Sequence, residues 1–212
     1  MLNDKMYVQF GCGLCAPEDW VNFDISPTLR FQRLPGCRWF ATRLGPRFPK
    51  NARYGDIVKG LPILKKSCQG LYSSHVLEHL ALDDFRTALR NAISLLRPGG
   101  FFRFVVPNME QLARDYLEDQ DSRAVIKFFE TAHLGVAHRP RGFAGLVREW
   151  LGNSRHLWMW DFKGLKSELE AVGFGDVRRA YFGDSEDRMF DQVEDTNRWD
   201  RLAVGVQLKQ PA

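Results

Sequence analysis

The chain of 212 residues is poor in cysteine and has no long apolar run. Its four cysteines, at positions 12, 15, 37 and 68, are too few and too unevenly placed for a disulfide framework. No stretch approaches the ~20 apolar residues that a membrane span needs, and the N-terminal MLNDKM lacks the basic region and apolar core of a secretory signal. These absences lead us to expect a cytoplasmic protein without a membrane span. Internal repeats and low-complexity tracts are lacking as well. What is present is 44% apolar and 13% aromatic residues, enough to bury roughly 70% of the unfolded surface, which suits one domain, with insertions, over residues 1–212.

Charge is scarce in net terms, at +4, but unevenly spread. Ten Lys or Arg fall between Arg30 and Lys66 against one acid, Asp56, whereas Gly183 to Asp200 holds seven acids and two arginines. A basic segment of this kind suits an anionic small molecule, a nucleic-acid backbone or a membrane surface, or it is a solvated loop.

Periodicity supplies the elements. YVQF alternates as a strand and breaks into the Gly11-Cys12-Gly13 turn, and WVNFDI reads as a second strand ending in Asp24. An ordinary dinucleotide fold would place a helix between them and the acid ~20 residues on. Here the acid follows Gly11 too soon, so the first helix must be missing or reduced to a turn. Four prolines between Pro27 and Pro49 suggest a long irregular excursion. Phe85, Ala88, Leu89, Ala92, Ile93 and Leu96 draw one apolar stripe, a helix over about Asp83 to Leu96 capped by Asp83 or Asp84 and ended by Pro98-Gly99-Gly100. FFRFVV follows as a buried parallel strand. Two helices, about Met109–Glu118 and Asp121–Leu134, then open a segment, 108–160, expected to lie over the active end of the sheet. A helix from about Lys163 to Val172 closes at Gly173, before two last strands, VRRAYF and LAVGVQL.

Gly11 and Gly13 let the backbone turn sharply and approach a ligand. Asp24, ending the second strand, is placed to accept from two ribose hydroxyls, and Asp56 can take an adenine amino group. GCG, WVNFDIS, GDIVKGLP, SSHVLEHL, LLRPGGFFRFVVPN and LKSELEAVGF, in that order, resemble the class I S-adenosylmethionine-dependent methyltransferases, in particular the type 11-like set. The resemblance covers about Tyr7–Pro107 and Trp158–Phe182. It implies an α/β, Rossmann-like, mostly parallel seven-stranded sheet with the last strand antiparallel, and S-adenosyl-L-methionine as cofactor. By the same resemblance, Gln9, Gly11, Cys12 and Gly13 would wrap the methionine, Asp24 and Ile25 the ribose end, and Asp56 and Ile57 the adenine. Ser74 and His75 would sit near the sulfonium. Gln9 stands where many relatives carry an acid, and Cys15 where a third glycine is common.

Methyl transfer needs alignment and, for a protonated nucleophile, a base. His156 is the first choice for that base and His75 the second, with His133 and His138 also in the 108–160 segment. His75 and His79 are spaced for a metal, but no third ligand is evident, so no metal is expected. Cys12-Gly-Leu-Cys15 invites a redox reading, but no helix can begin at Cys12, and Cys12, Cys15, Cys37 and Cys68 contain a single pair at zinc spacing. The acceptor is expected to be a small molecule or glycan, anionic to suit the arginines. RNA is the alternative, though no RNA-binding module or Asn-Pro-Pro-aromatic motif is present. A non-catalytic cofactor-binding regulator is a third reading, and the oligomeric state is left open.

Overall fold

The structure is a computed structural model that describes residues 5–34, 47–136 and 155–211. Strands β1 (Met6–Phe10), β2 (Val21–Asp24), β3 (Ala52–Tyr54), β4 (Cys68–Ser74), β5 (Leu96–Pro107), β6 (Gly175–Ala180) and β7 (Ala203–Lys209) form one seven-stranded sheet among the described residues, in the order β3-β2-β1-β4-β5-β7-β6. The pairs from β3 to β5 are parallel, and β7 runs antiparallel to both neighbours. The order reverses between β1 and β4. Chains leave those two strands in opposite directions there, opening a crevice at their carboxyl ends.

The α-helices among the described residues are α1 (Pro27–Arg33), α2 (Leu82–Leu95), α3 (Met109–Glu118), α4 (Ala124–Thr131) and α5 (Phe162–Val172), beside three short 3-10 turns. α2 buries Phe85, Ala88, Leu89, Ala92 and Leu95, the stripe that its sequence draws. Its N-cap is Ala81, and Asp83 and Asp84 lie in the first turn, so they act on the helix dipole rather than as caps. α5 starts at an Asp161 cap, which accepts from the Gly164 amide at 2.7 Å, and stops at left-handed Gly173. These two helices cover one face of the sheet, where Val8, Phe10, Leu71, Phe102 and Phe104 meet Leu165 and Leu169.

The excursion expected from Pro27 begins instead as α1. Pro27 occupies the start of this helix, where its missing N–H costs nothing and its φ is already helical. Residues 35–46 lie outside the described residues.

No helix separates β1 from β2 in the described chain, as the spacing requires. The other face of the sheet is covered in a different way. Tyr7, Trp20 and Tyr72 project from it and pack against Phe190 and Val193, which belong to the long 181–202 connection between β6 and β7. Two hydrogen bonds fasten that connection down: Tyr7 Oη to Asp187 at 2.7 Å and Trp20 Nε1 to the Met189 carbonyl at 3.2 Å. The acid-rich composition of this connection is therefore structural. Asp184 and Glu194 receive the wholly buried guanidinium of Arg103, and Trp199 stacks on it at 4.6 Å.

The segment after β5 leaves and returns at one place, since Asn108 bridges Trp160 in parallel and the Met109 amide donates to the Trp160 carbonyl. His138, Arg139, Arg141 and Arg148 lie outside the described residues, as does Cys37. No helix among the described residues is long and apolar enough to cross a membrane.

Candidate active site

A cleft of about 460 Å³ opens at the carboxyl ends of β1 and β4. Gln9, the Gly11–Gly13 turn, Tyr72 and Ser74 line it from the sheet, and Val193, Asp195 and Arg198 close it from the 181–202 connection. The turn must be glycine at its first position. Gly11 has φ +69°, and a Cβ there would lie 2.1 Å from Cγ2 of Val76, so the chain leaving β4 packs on the bare backbone.

Asp24 is buried, and both of its carboxylate oxygens accept backbone N–H groups: Oδ2 from Gly13 at 2.8 Å and Oδ1 from Ser26 at 2.7 Å. It thus holds the glycine turn in place, while a carboxylate's four lone-pair sites leave room for further donors. Gln9 uses its amide to fix the same loop, donating to the Cys15 carbonyl and to Asn22 Oδ1, each at 2.6 Å. Asp56 forms a turn with the Val58 amide at 2.9 Å, beside Ile57, whose side chain is in the core. Ile25 next to Asp24 is exposed.

Burial, reinforced by the Asp24 charge, pushes the Cys12 thiol up to about 12, and burial with Asp195 raises Cys15 too. Thiols held protonated in this way are unsuited to disulfide exchange, which argues against the redox reading. Cys12, Cys15 and Cys68 are free.

Beyond Ser74 the chain passes through His75, left-handed at φ +52°, into a short 3-10 turn, Leu77–His79. His75 Nε2 donates to the Arg198 carbonyl at 3.0 Å, and its Nδ1 lies 3.2 Å from Glu78 Oε1. Burial works to neutralise this imidazole, but Glu78 and the Arg198 carbonyl outweigh it and hold its pKa above the ordinary value. His156 is turned into the same neighbourhood, with Nε2 4.0 Å from Glu78 Oε1 and its ring edge-on to His79 and His133. Burial lowers its pKa, against the opposing pull of Glu78.

A family model described as "Methyltransferase domain" matches residues 10–104, from the last residue of β1 into β5, which includes the glycine turn and Ser74 of the cleft. The described chain has the fold of the class I methyltransferases. Among solved structures it is similar to a S-adenosylmethionine-dependent methyltransferase from Archaeoglobus fulgidus, at 17% identity over 98% of this chain and 86% of that one, TM-score 0.52. It is also similar to the Haloferax volcanii complex between the Trm112 methyltransferase activator and a methyltransferase, at 14% identity over 99% and 84%, TM-score 0.51. A third is Haemonchus contortus phosphoethanolamine N-methyltransferase 2 in complex with S-adenosyl-L-methionine, at 9% identity over all of this chain and 50% of that one, TM-score 0.52. At such identities the likeness establishes the fold. No curated protein matches the chain.

S-adenosyl-L-methionine, bound in that phosphoethanolamine N-methyltransferase structure, is the cofactor expected from the sequence. Of the residues read from sequence for it, Gln9, Gly11, Cys12, Gly13 and Ser74 line one cleft, with Asp24 buttressing its glycine turn. Asp56 and Ile57 stand apart from that lining, beyond β3. His75 adjoins the cleft through Ser74, whereas His156 is buried against Glu78, His79 and His133 and is absent from the cleft lining. Sequence reasoning missed three contributors. Glu78, entirely buried, is the centre of the histidine cluster, and its signal was a lone acid inside the apolar run HVLEHL. Arg198 and Asp195 line the cleft from a segment that carries no periodicity.

Proposed function

We propose that the methyltransferase transfers a methyl group to a small-molecule or glycan-type anionic acceptor, as a cytoplasmic enzyme. What supports the reading is Arg198, which lines the cleft beside Ser74 and offers a positive group to an anionic acceptor. Three free cysteines among the described residues suit a reducing compartment.

In this reading the Gly11–Gly13 backbone, with Gln9 and Cys12 behind it, wraps the methionine of the cofactor. Asp24 and Ile25 receive the ribose, Asp56 and Ile57 the adenine, and Ser74 and His75 face the sulfonium. Positive sulfur already activates the methyl carbon, so the protein's main task is alignment. Proton removal from a hydroxyl acceptor falls to the cluster of His75, Glu78 and His156 that adjoins the cleft. Arg155, together with Arg139, Arg141 and Arg148, supplies the positive side that an anionic acceptor needs.

Initial-rate assays across small anionic acceptors and short RNA test this. A small acceptor should be methylated with a rate nearly independent of salt, and the arginine variants should raise its KM while cofactor affinity stays unchanged. Methylation of RNA alone, with affinity falling linearly in log–log plots against salt, would replace the small acceptor by a phosphate backbone. Cofactor binding without turnover of any acceptor would favour a regulatory protein.

A further inference from the structure

We infer that Glu78, His79 and His156 form a binding site for a divalent transition-metal ion, zinc by its donor set, beside the cofactor cleft. The inference does not depend on which acceptor is methylated; with the ion bound, His156 serves as a ligand and proton removal falls to His75.

Two imidazoles and one carboxylate meet here, with their donor atoms all within 4.8 Å of one another. Tetrahedral ligands at ~2.1 Å from zinc are about 3.4 Å apart, so closing on an ion needs each donor to move by less than about 1 Å. The spacing in the chain explains why the set is hidden from sequence. Glu78 and His79 come from the 3-10 turn after β4, and His156 comes from the far end of the segment that follows β5, brought in when the Leu157 and Trp158 amides both donate to the Glu78 carbonyl.

Two further observations point to a ligand. The Glu78 carboxylate is wholly buried, yet neither oxygen has a hydrogen-bond partner among the described residues. A buried carboxylate without a hydrogen bond is costly, and the two imidazoles at 3.2 and 4.0 Å from Oε1, neither in hydrogen-bonding geometry, compensate it poorly. A dication between Glu78 and the two imidazoles would resolve this. His79, in turn, donates from Nδ1 to the Arg155 carbonyl at 2.8 Å, which fixes the tautomer that leaves Nε2 as a free lone pair. That arrangement of one ring nitrogen on a carbonyl and the other on the ion is how metal-binding histidines are oriented. Two histidines and a carboxylate also leave a fourth position open for water or an acceptor oxygen, whose pKa the ion would lower.

The test uses the full chain, stripped with a chelator and dialysed, then titrated with Co²⁺ followed by Zn²⁺. The expected result is one Co²⁺ per chain with the visible d–d bands of a tetrahedral site, displaced by Zn²⁺, and a rise in melting temperature with either ion. Glu78→Gln and His79→Asn should each weaken binding by more than the ~10- to 100-fold that loss of a second-shell partner costs, with His133→Ala as an unaffected control. Should Glu78→Gln fail to fold, His79→Asn decides. Featureless Co²⁺ spectra without a melting shift, or unchanged affinity in folded Glu78→Gln or His79→Asn, would overturn the assignment.

Discussion

Arg103 Nε lies 2.5 Å from Glu194 Oε1, with neither side chain exposed. The pair ties the middle of β5 to the 181–202 connection, and the same guanidinium reaches Asp184 at 2.7 Å, the Tyr181 carbonyl at 2.6 Å and Gln207 at 3.0 Å. A buried ion pair is weak evidence for net stability, because desolvation offsets much of the attraction, but breaking one side of it is costly. Glu194→Ala should therefore destabilise the fold by about 3–5 kcal/mol, while Arg103→Met combined with Glu194→Leu should recover most of that loss. Urea midpoints of the three proteins check this, and equal midpoints for Glu194→Ala and the parent would mean that the guanidinium is compensated elsewhere.

Asp184 gives the same network a pH dependence. Burial alone would raise its pKa, but hydrogen bonds from Arg178 and Arg103 outweigh it and hold the carboxyl below the ordinary aspartate value. The unfolded chain therefore binds the proton more tightly. The stabilisation is complete above the unfolded pKa of ~3.9 and is lost as pH falls through the lower folded value. Asp184→Asn should flatten the acid limb of a plot of stability against pH; an unaltered slope would assign that limb to other carboxylates.

Asp24→Ala should affect two measurements at once. Loss of a charged acceptor for the cofactor costs about 1.5–3 kcal/mol per hydrogen bond. The Gly13 and Ser26 amides also lose their acceptor, so the melting temperature of the free protein should fall too. Calorimetry with S-adenosylhomocysteine and a melting curve without ligand separate the effects. Unchanged affinity alongside a lowered melting temperature would leave Asp24 as a turn residue only.

At the glycine turn the two positions should respond differently. Gly11→Ala meets Val76 as well as left-handed strain, whereas Gly13, at φ +53°, has nothing within 4 Å of its Cβ position. Gly13→Ala should cost about 1–2 kcal/mol from backbone strain, and Gly11→Ala about 1–3 kcal/mol more from overpacking. Adding Val76→Ala to Gly11→Ala should relieve only the second part. Equal unfolding free energies for the two alanine variants would show that Val76 yields without cost.

The elements that sequence reveals are those whose packing is one-sided and local. α2 writes its buried stripe in Phe85, Ala88, Leu89 and Ala92, and α5 carries both of its caps. The missing first helix is legible from the short distance between Gly11 and Asp24. α1 is not, because proline density suggests irregular chain unless Pro27 is recognised at a helix start. The 181–202 connection is hidden for another reason: Phe190 and Val193 are isolated apolar residues among acids, and what they cover lies far away in the chain. The histidine cluster depends on the same kind of remote meeting, since nothing near Glu78 in the sequence points to His156.

The layer that takes the place of the absent helix also dictates when the protein can finish folding. Trp20 waits for Met189 and Tyr7 for Asp187, separations of 169 and 180 residues. During synthesis the parallel strands emerge first, with one face already matched by α2 and the other still bare. At ~5–20 residues per second that aromatic face stays open for many seconds, and contacts of such long range are slow to form. The ribosome must release the chain through Arg198 before the cleft acquires its roof, so a truncation anywhere before Phe190 removes the far wall of a site whose glycine turn is made some 180 residues earlier.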